Sequence, residues 1–304
     1  MKTLIDEATR CGFVALIGAP NAGKSTLINQ LVGTKVSIVS RKVQTTRAAV
    51  RGIVIQGDTQ IIYIDTPGIF APKRRLDRAM VSAAWASAGD ADANVLLVDA
   101  RKGITPEVTA IVERLPRAGG TKILALNKID TVEPPALLEL AVKLNADTFF
   151  LHTFMISALR GDSIEKLQKT LAGLMPKGPW LYPQDQIADM PLRLLAAEIT
   201  REKIFERLHD ELPYALTVET ELWRDLPDGS ARIEQTIYVM REGHKKIVIG
   251  EGGHTLKAIG MAARREIGEA ADQKVHLFLF VKVRENWEDD PERYREMGLE
   301  FPRS

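Results

Sequence analysis

From residue 12 to about residue 175, short apolar runs alternate with amphipathic stretches. The runs are FVALIG, IIYID, VLLVD, KILALN and FFLHTFMIS. The stretches between them carry apolar residues at helical spacing. Strands covered on both faces read as near-continuous apolar segments, and parallel pairing needs a crossover between each strand and the next. The pattern predicts an α/β domain with a mostly parallel sheet and helices on both faces.

The rhythm stops at residues 176–186. PKGPWLYPQDQ holds three prolines and a glycine, cannot continue a helix, and is expected to be a linker. Beyond it the pattern predicts a long amphipathic helix over 191–212, then two β-rich runs, YALTVETELW and ARIEQTIYVM, joined by the turn Leu226-Pro227-Asp228-Gly229. Two helical stretches then flank a Gly-rich corner at 249–253, and VHLFLFVKV closes as a strand. The order is α-β-β-α-α-β, a smaller α+β domain. The expected partition is 1–175, a linker at 176–186, a second domain at 187–285 and a charged tail at 286–304.

Length agrees with two domains, since 304 residues exceed one ordinary core. With 45% apolar residues, 27% charged residues and a net charge of +1, the composition is neither disordered nor membrane-embedded. Bulk attraction to nucleic acid is not implied. The single cysteine, Cys11, excludes an internal disulfide, and five histidines without ligand spacing leave no zinc site. MKTLIDEATR lacks a secretory pattern, and no apolar run approaches the ~20 residues of a membrane span. A cytoplasmic protein is expected, with peripheral contact at the inner membrane left open.

Candidate chemistry begins at Gly18-Ala19-Pro20-Asn21-Ala22-Gly23-Lys24-Ser25, followed by Thr26. This is the phosphate-binding pattern G-x-x-x-x-G-K-S, after an apolar strand and before a helix. Backbone N–H groups and the helix N-terminus face the phosphates, Lys24 reaches the β/γ oxygens, and Ser25 offers a hydroxyl to Mg²⁺. Asp65-Thr66-Pro67-Gly68 follows the run IIYI, which places Asp65 at a strand end to hold the Mg²⁺ sphere and Gly68 to offer an N–H to the γ-phosphate. Asn127-Lys128-Ile129-Asp130 follows KILAL. A carboxylate at Asp130 accepts from N1–H and the 2-amino group of guanine, whereas adenine would leave it unpaired. Ser157-Ala158-Leu159 would complete the base pocket.

Between the phosphate loop and Asp65, Gln44-Thr45-Thr46-Arg47 is the first switch candidate. Thr45 and Thr46 compete for the place over Mg²⁺ and the γ-phosphate, and the block of expected catalytic residues is Lys24, Thr46 and Gly68. The place of a water-orienting glutamine after D-x-x-G holds Ile69, so slow basal turnover is expected.

The second domain carries Ile249-Gly250-Glu251-Gly252-Gly253 between two helices, a G-x-x-G corner similar to that of KH domains, where an RNA backbone approaches. Residues 185–240 contain six Lys/Arg against twelve Asp/Glu, and residues 241–284 nine against five, so basic charge gathers at the corner. Lys245, Lys246, Lys257, Arg264, Arg265, Lys282 and Arg284 are the candidate phosphate contacts. Glu251 stands where related corners often carry a basic residue.

With five nucleotide motifs in order, the Pro-rich linker, IGEGGHTLKAIG and VHLFLFVKVRENWEDD, the chain resembles the Era family of ribosome-assembly GTPases over nearly its full length. The resemblance implies a P-loop GTPase domain followed by a type II KH domain, GTP/GDP and Mg²⁺ as ligands, and a monomer. Its implied partners are the 3′ end of 16S ribosomal RNA and the 30S subunit, whose assembly it would assist. The loop wording G-x-P-N-x-G-K-S also implies K⁺ beside Asn21; the plainer reading is an asparagine tolerating a tight turn. Two rivals are an MnmE-like tRNA-modification GTPase, for which the C-terminal cysteine motif is missing, and an RNA-binding module whose nucleotide site is only structural.

Overall fold

The computed structural model describes residues 9–40, 42, 45–146, 150–208, 212–285 and 287–302; Gln44 of the switch candidate lies outside them. By its contacts the chain forms two units, each with its own core. The first holds residues up to 37, 46–189 and those from 295 on, and the second holds 38–45 and 190–294.

The first unit runs β1 (Arg10–Ile17), α1 (Lys24–Val32), β2 (Val50–Gln56), β3 (Thr59–Asp65), α2 (Arg75–Asp90), β4 (Ala93–Asp99), α3 (Pro106–Arg114), β5 (Thr121–Asn127), α4 (Pro134–Ala146), β6 (His152–Ile156) and α5 (Ile164–Leu174). The sheet order is β2-β3-β1-β4-β5-β6. β1, β3, β4, β5 and β6 pair in parallel, as the apolar runs predict. Every residue of β3 and β4 is buried, which is why those runs show no polar alternation. α3 begins where its sequence directs, with Thr105 accepting from the Val108 N–H at 3.4 Å and Pro106 in the first turn.

Two features depart from the sequence reading. β2, an antiparallel edge strand beside β3, is absent from the predicted strands, because VRGIVIQ is short and interrupted by Gly52. The expected linker also has a structural role. Residues 176–188 run along the first unit, bridging Arg10 to Lys177 and Gly52 to Ala188, while Ile53 N–H donates to the Ile187 carbonyl at 2.9 Å. Gln60 anchors the same stretch, accepting from the N–H groups of Leu181 and Tyr182 at 2.9 and 3.0 Å.

Parallel register brings the functional strand ends to one edge. Leu16 lies opposite Asp65, Ile17 opposite Leu96, Asp99 opposite Asn127, and Asn127 opposite Ile156. Ligands of open α/β sheets collect at this carboxyl edge.

The second unit is α6 (Leu192–Arg207), β7 (Leu216–Asp225), β8 (Ala231–Val239), α7 (Glu242–Ile249), α8 (His254–Ala271), β9 (Val275–Val283) and, in the tail, α9 (Pro291–Glu296). The predicted α-β-β-α-α-β order stands. β7 and β8 are antiparallel, β8 and β9 parallel, and α6 with α8 covers one face. The core joins Ile204, Leu216, Ile237, Val248 and Ile259. Three ion pairs bind one buried lysine here: Lys203 Nζ lies 2.9 Å from Glu202, 3.0 Å from Glu206 and 2.6 Å from Glu266. Val39 and Thr45 meet α6: the Val39 N–H donates to Glu202 at 2.7 Å, and the Arg201 guanidinium donates to the Thr45 carbonyl. The tail, charged in sequence, buries Trp287 and Tyr294.

Candidate nucleotide site and nucleic-acid corner

The loop between β1 and α1 is closed on itself in this structure. Lys24 is buried, and its ammonium donates to the carbonyls of Gly18 at 3.1 Å and Ala19 at 3.2 Å. Burial lowers its pKa to about 8, against the opposing charge of Asp65. Asn21 has φ 63°, the left-handed conformation asparagine tolerates, in accord with the plainer reading of that residue.

Asp65 collects three hydroxyls on one oxygen. Ser25 and Ser37 each donate to Oδ2 at 2.7 Å and Thr46 at 3.2 Å, with Ser25 and Thr46 3.0 Å from each other. Oδ1 is buried and, among the described residues, has no hydrogen-bond partner. Burial pushes the Asp65 pKa up, and Lys24 and the three hydroxyls oppose it. An all-oxygen set of one carboxylate and neighbouring hydroxyls, with a buried carboxylate oxygen left over, fits a hard cation such as Mg²⁺. Among the described residues no group of three or more His, Cys, Asp or Glu could hold a metal ion. Of the competing threonines, Thr46 faces Asp65, whereas the Thr45 hydroxyl donates to the Lys42 carbonyl at 2.7 Å.

The D-T-P-G turn abuts the phosphate loop. Thr66 donates to the Leu16 carbonyl at 2.7 Å, and Ile69 N–H donates to the Gly18 carbonyl at 3.1 Å. A Cβ on Gly68 would stand 2.9 Å from Pro20 Cα, so only glycine permits this approach. Ile69 is buried and apolar at the place a water-orienting side chain would take.

The base-reading residues form one network. Asn127 Oδ1 accepts from the N–H groups of Lys128 at 2.8 Å and Ala158 at 3.0 Å. The Lys128 ammonium donates to the Asn21 carbonyl at 2.7 Å and pairs with Asp99 at 2.6 Å. Burial would raise the Asp99 pKa, but hydrogen bonds from Lys128 and Arg101 outweigh it and hold the group below its ordinary value. Ser157 Oγ donates to Asp130 Oδ1 at 2.7 Å, lowering the Asp130 pKa and keeping the carboxylate acceptor-only. Leu159 is 78% exposed.

The sequence reading names 18–26, 45, 46, 65–68, 127, 128, 130 and 157–159; all of these except Thr45 belong to the first unit, where their elements meet at one sheet edge. It misses Asp99, Ser37 and Asn29. Asp99 had a signal, an acid ending the run VLLVD. Ser37 and Asn29 belong to no motif. Asn29 Oδ1 accepts from the N–H groups of Val36 and Ser37 at 2.9 Å each, and its amide donates to the Ser37 carbonyl at 2.8 Å.

In the second unit α7 ends at Gly250, with φ 74° and ψ 170°; a single tight turn over Glu251–Gly253 then leads into α8. A Cβ on Gly250 would meet Thr255 Oγ1 at 2.2 Å. Lys246, Lys257, Arg264, Arg265 and Lys282 are exposed, as is Glu251; Ile249 is half-buried. Lys245 lies 3.9 Å from Glu242, and Arg284 pairs with Asp290 at 2.8 Å, so these two are partly engaged. Ile247 and Met261 remain exposed on α7 and α8, an apolar presence beside the basic residues.

A phosphate-loop sequence and an N-K-x-D strand end in one unit, with a G-x-x-G corner in the other, define a P-loop GTPase joined to a KH module. Family models agree: residues 13–128 match the family described as 50S ribosome-binding GTPase, and residues 211–288 match the KH domain. GTPase Era of Brucella suis is 64% identical over 294 residues, covering 97% of this chain and 94% of the relative. That of Rhizobium meliloti is 62% identical over 295 residues, covering 97% and 94%. A crystal structure of Era in complex with MgGDPNP and nucleotides 1506–1542 of 16S ribosomal RNA superposes with a TM-score of 0.90 at 38% identity, covering 95% of this chain and 99% of that one. A variant of Aquifex aeolicus Era bound to GDP·AlF4⁻ gives the same values. The chain belongs to the Era GTPase family.

Proposed function

We propose that this GTPase uses its nucleotide state to control capture of the 3′ end of 16S ribosomal RNA by the KH unit, and thereby assists assembly of the small ribosomal subunit. The observation that carries the reading is the pairing of a complete guanine-nucleotide edge with a basic G-x-x-G corner in one chain. The solved Era complex holds both a GTP analogue with magnesium and a 16S segment. Rejection of the structural-nucleotide rival rests on Lys24, Thr46 and Asp65 being grouped as a phosphate-transfer site requires.

In this mechanism the phosphate-loop N–H groups and Lys24 hold the β- and γ-phosphates, with Lys24 exchanging its two loop carbonyls for phosphate oxygens. Ser25, Thr46 and Asp65 would hold Mg²⁺, which neutralises phosphate charge when bound. Asp130 selects guanine, Leu159 offers its backbone N–H toward the base oxygen, and Asn127, which holds the Ala158 N–H, fixes this pocket to the phosphate loop together with Lys128. Gly68 N–H serves the γ-phosphate, so the turn after it responds to hydrolysis. With Ile69 unable to orient water, charge stabilisation carries the reaction and basal turnover is slow. A K⁺ ion beside Asn21 rests on the loop wording alone; turnover in K⁺ and Na⁺ at equal ionic strength decides it, equal rates removing the ion.

The KH corner binds the RNA backbone through Ile249–Gly253 and its flanking basic residues, including Lys245, Lys246, Lys257, Arg264 and Arg265. A cytoplasmic monomer that meets 30S particles is part of the reading. Among the described residues no helix is long and apolar enough to cross a membrane. The test is binding of a 16S 3′-end oligonucleotide with a non-hydrolysable GTP analogue and with GDP. Tighter binding with the analogue is expected, and Gly253→Asp should weaken it at least tenfold through added charge at the backbone approach. A protein that ignores the RNA in both states overturns the proposal.

A further inference from the structure

Three hydroxyls meet Asp65 Oδ2, and only two belong to recognised motifs. The third, Ser37, is 2% exposed and donates at 2.7 Å, as short as the Ser25 contact and shorter than that of Thr46. Its backbone is fixed on both sides of the peptide by one side chain. Asn29, in α1, accepts from Ser37 N–H at 2.9 Å and donates to the Ser37 carbonyl at 2.8 Å. α1 is the helix that begins at Lys24 and carries Ser25, so Ser37 is tied to the same rigid element as the phosphate loop.

The three hydroxyls therefore differ in what they can do when ligands arrive. Ser25 and Thr46 are the groups that would turn their oxygens toward a metal, and a hydroxyl that coordinates through its lone pair is reoriented. Ser37 has no such task and is held by Asn29.

Resting on the reading of Asp65 as a Mg²⁺-sphere residue, we infer that Ser37, locked by Asn29, is a positioning residue for the metal site. Its hydroxyl fixes the rotation of the Asp65 carboxylate and keeps Oδ2 turned toward Ser25 and Thr46, the two hydroxyls that would share the metal with it. Ser37 is also the last residue of the first unit before the stretch 38–45.

Release of a fluorescent GDP analogue, measured over a series of Mg²⁺ concentrations and in EDTA, tests this on the full chain. Ser37→Ala should need about tenfold more Mg²⁺ to slow release by half, the size of one hydrogen bond to a charged group, with release in EDTA close to wild type. Ser37→Thr, which keeps the donor, should follow wild type, and Asn29→Ala should shift the Mg²⁺ requirement in the same direction as Ser37→Ala. An unchanged Mg²⁺ requirement in Ser37→Ala overturns the assignment. Equal acceleration with and without Mg²⁺, or loss of cooperative thermal unfolding, makes Ser37 a packing residue and overturns it as well. If wild-type release ignores Mg²⁺, the metal reading of Asp65 fails first and takes this inference with it.

Discussion

The side-chain amide of Asn127 donates to the carbonyl of Ala22 at 2.8 Å, joining the end of β5 to the loop between β1 and α1. The same side chain accepts from Lys128 and Ala158, so it is a three-way brace buried to 2% exposure. Asn127→Ala would strand these buried backbone groups at about 1–3 kcal/mol each. We expect a lower thermal midpoint and a faster GDP off-rate together, measured by thermal unfolding and stopped-flow release.

Asp130 differs from Asn127 in being a reader rather than a brace. Asp130→Asn keeps the size of the side chain but replaces one acceptor with a donor. Guanine then faces a mismatch at its 2-amino group, whereas xanthine, with a carbonyl at that position, becomes complementary. Competition binding should show GDP weakened by about a hundredfold or more and xanthosine diphosphate improved, with little change in the melting temperature of the nucleotide-free protein. Unchanged base preference would contradict the pocket assignment.

Gly68 meets Pro20 closely enough that even a methyl group must displace the turn. Gly68→Ala is expected to retain GDP binding, which uses the loop and base pocket, and to lose at least tenfold in single-turnover GTP cleavage, because the N–H aimed at the γ-phosphate shifts. A cleavage rate equal to wild type would remove Gly68 from the mechanism.

Lys203 holds three glutamates in the second unit. Replacing it as Lys203→Met removes a cation 2.9 Å from buried Glu202, and loss of one partner of a buried pair costs about 3–5 kcal/mol. Burial opposes the Lys203 charge, but the three glutamates outweigh it and raise the pKa. The sign follows from proton linkage: the folded state binds its proton more tightly, so the stabilisation is complete below the ordinary lysine value of about 10.4. It is lost as pH climbs through the raised folded value. Urea titrations should therefore show a full wild-type advantage at pH 7 and pH 9 that shrinks only in strong alkali.

Much of the nucleotide edge was legible because its chemistry demands particular side chains at fixed spacing, as from Gly18 to Ser25 and from Asn127 to Asp130. What was not legible depends on direction rather than identity. Thr45 and Thr46 are the same residue type, and only the path of the backbone turns Thr46 toward Asp65. Ser37 acts through a single hydroxyl placed by Asn29, eight residues earlier, with no pattern that marks the pair. Asp99 could have been found as an acid at a strand end, yet its partner Lys128 becomes visible only when β4 and β5 lie side by side. In the second unit the G-x-x-G corner and the element order were legible, while the tail hid Trp287 and Tyr294 behind a charged composition.

The stretch 176–188 takes up the middle of the outer edge of β2, bridging Gly52 to Ala188 and accepting the Ile53 N–H at the Ile187 carbonyl, where an open edge would invite a strand from a neighbouring molecule. A segment whose prolines suggest mere slack thus acts as a seal. It lets the six-stranded sheet end at Val50–Gln56 without offering a template for chain-to-chain growth at high concentration.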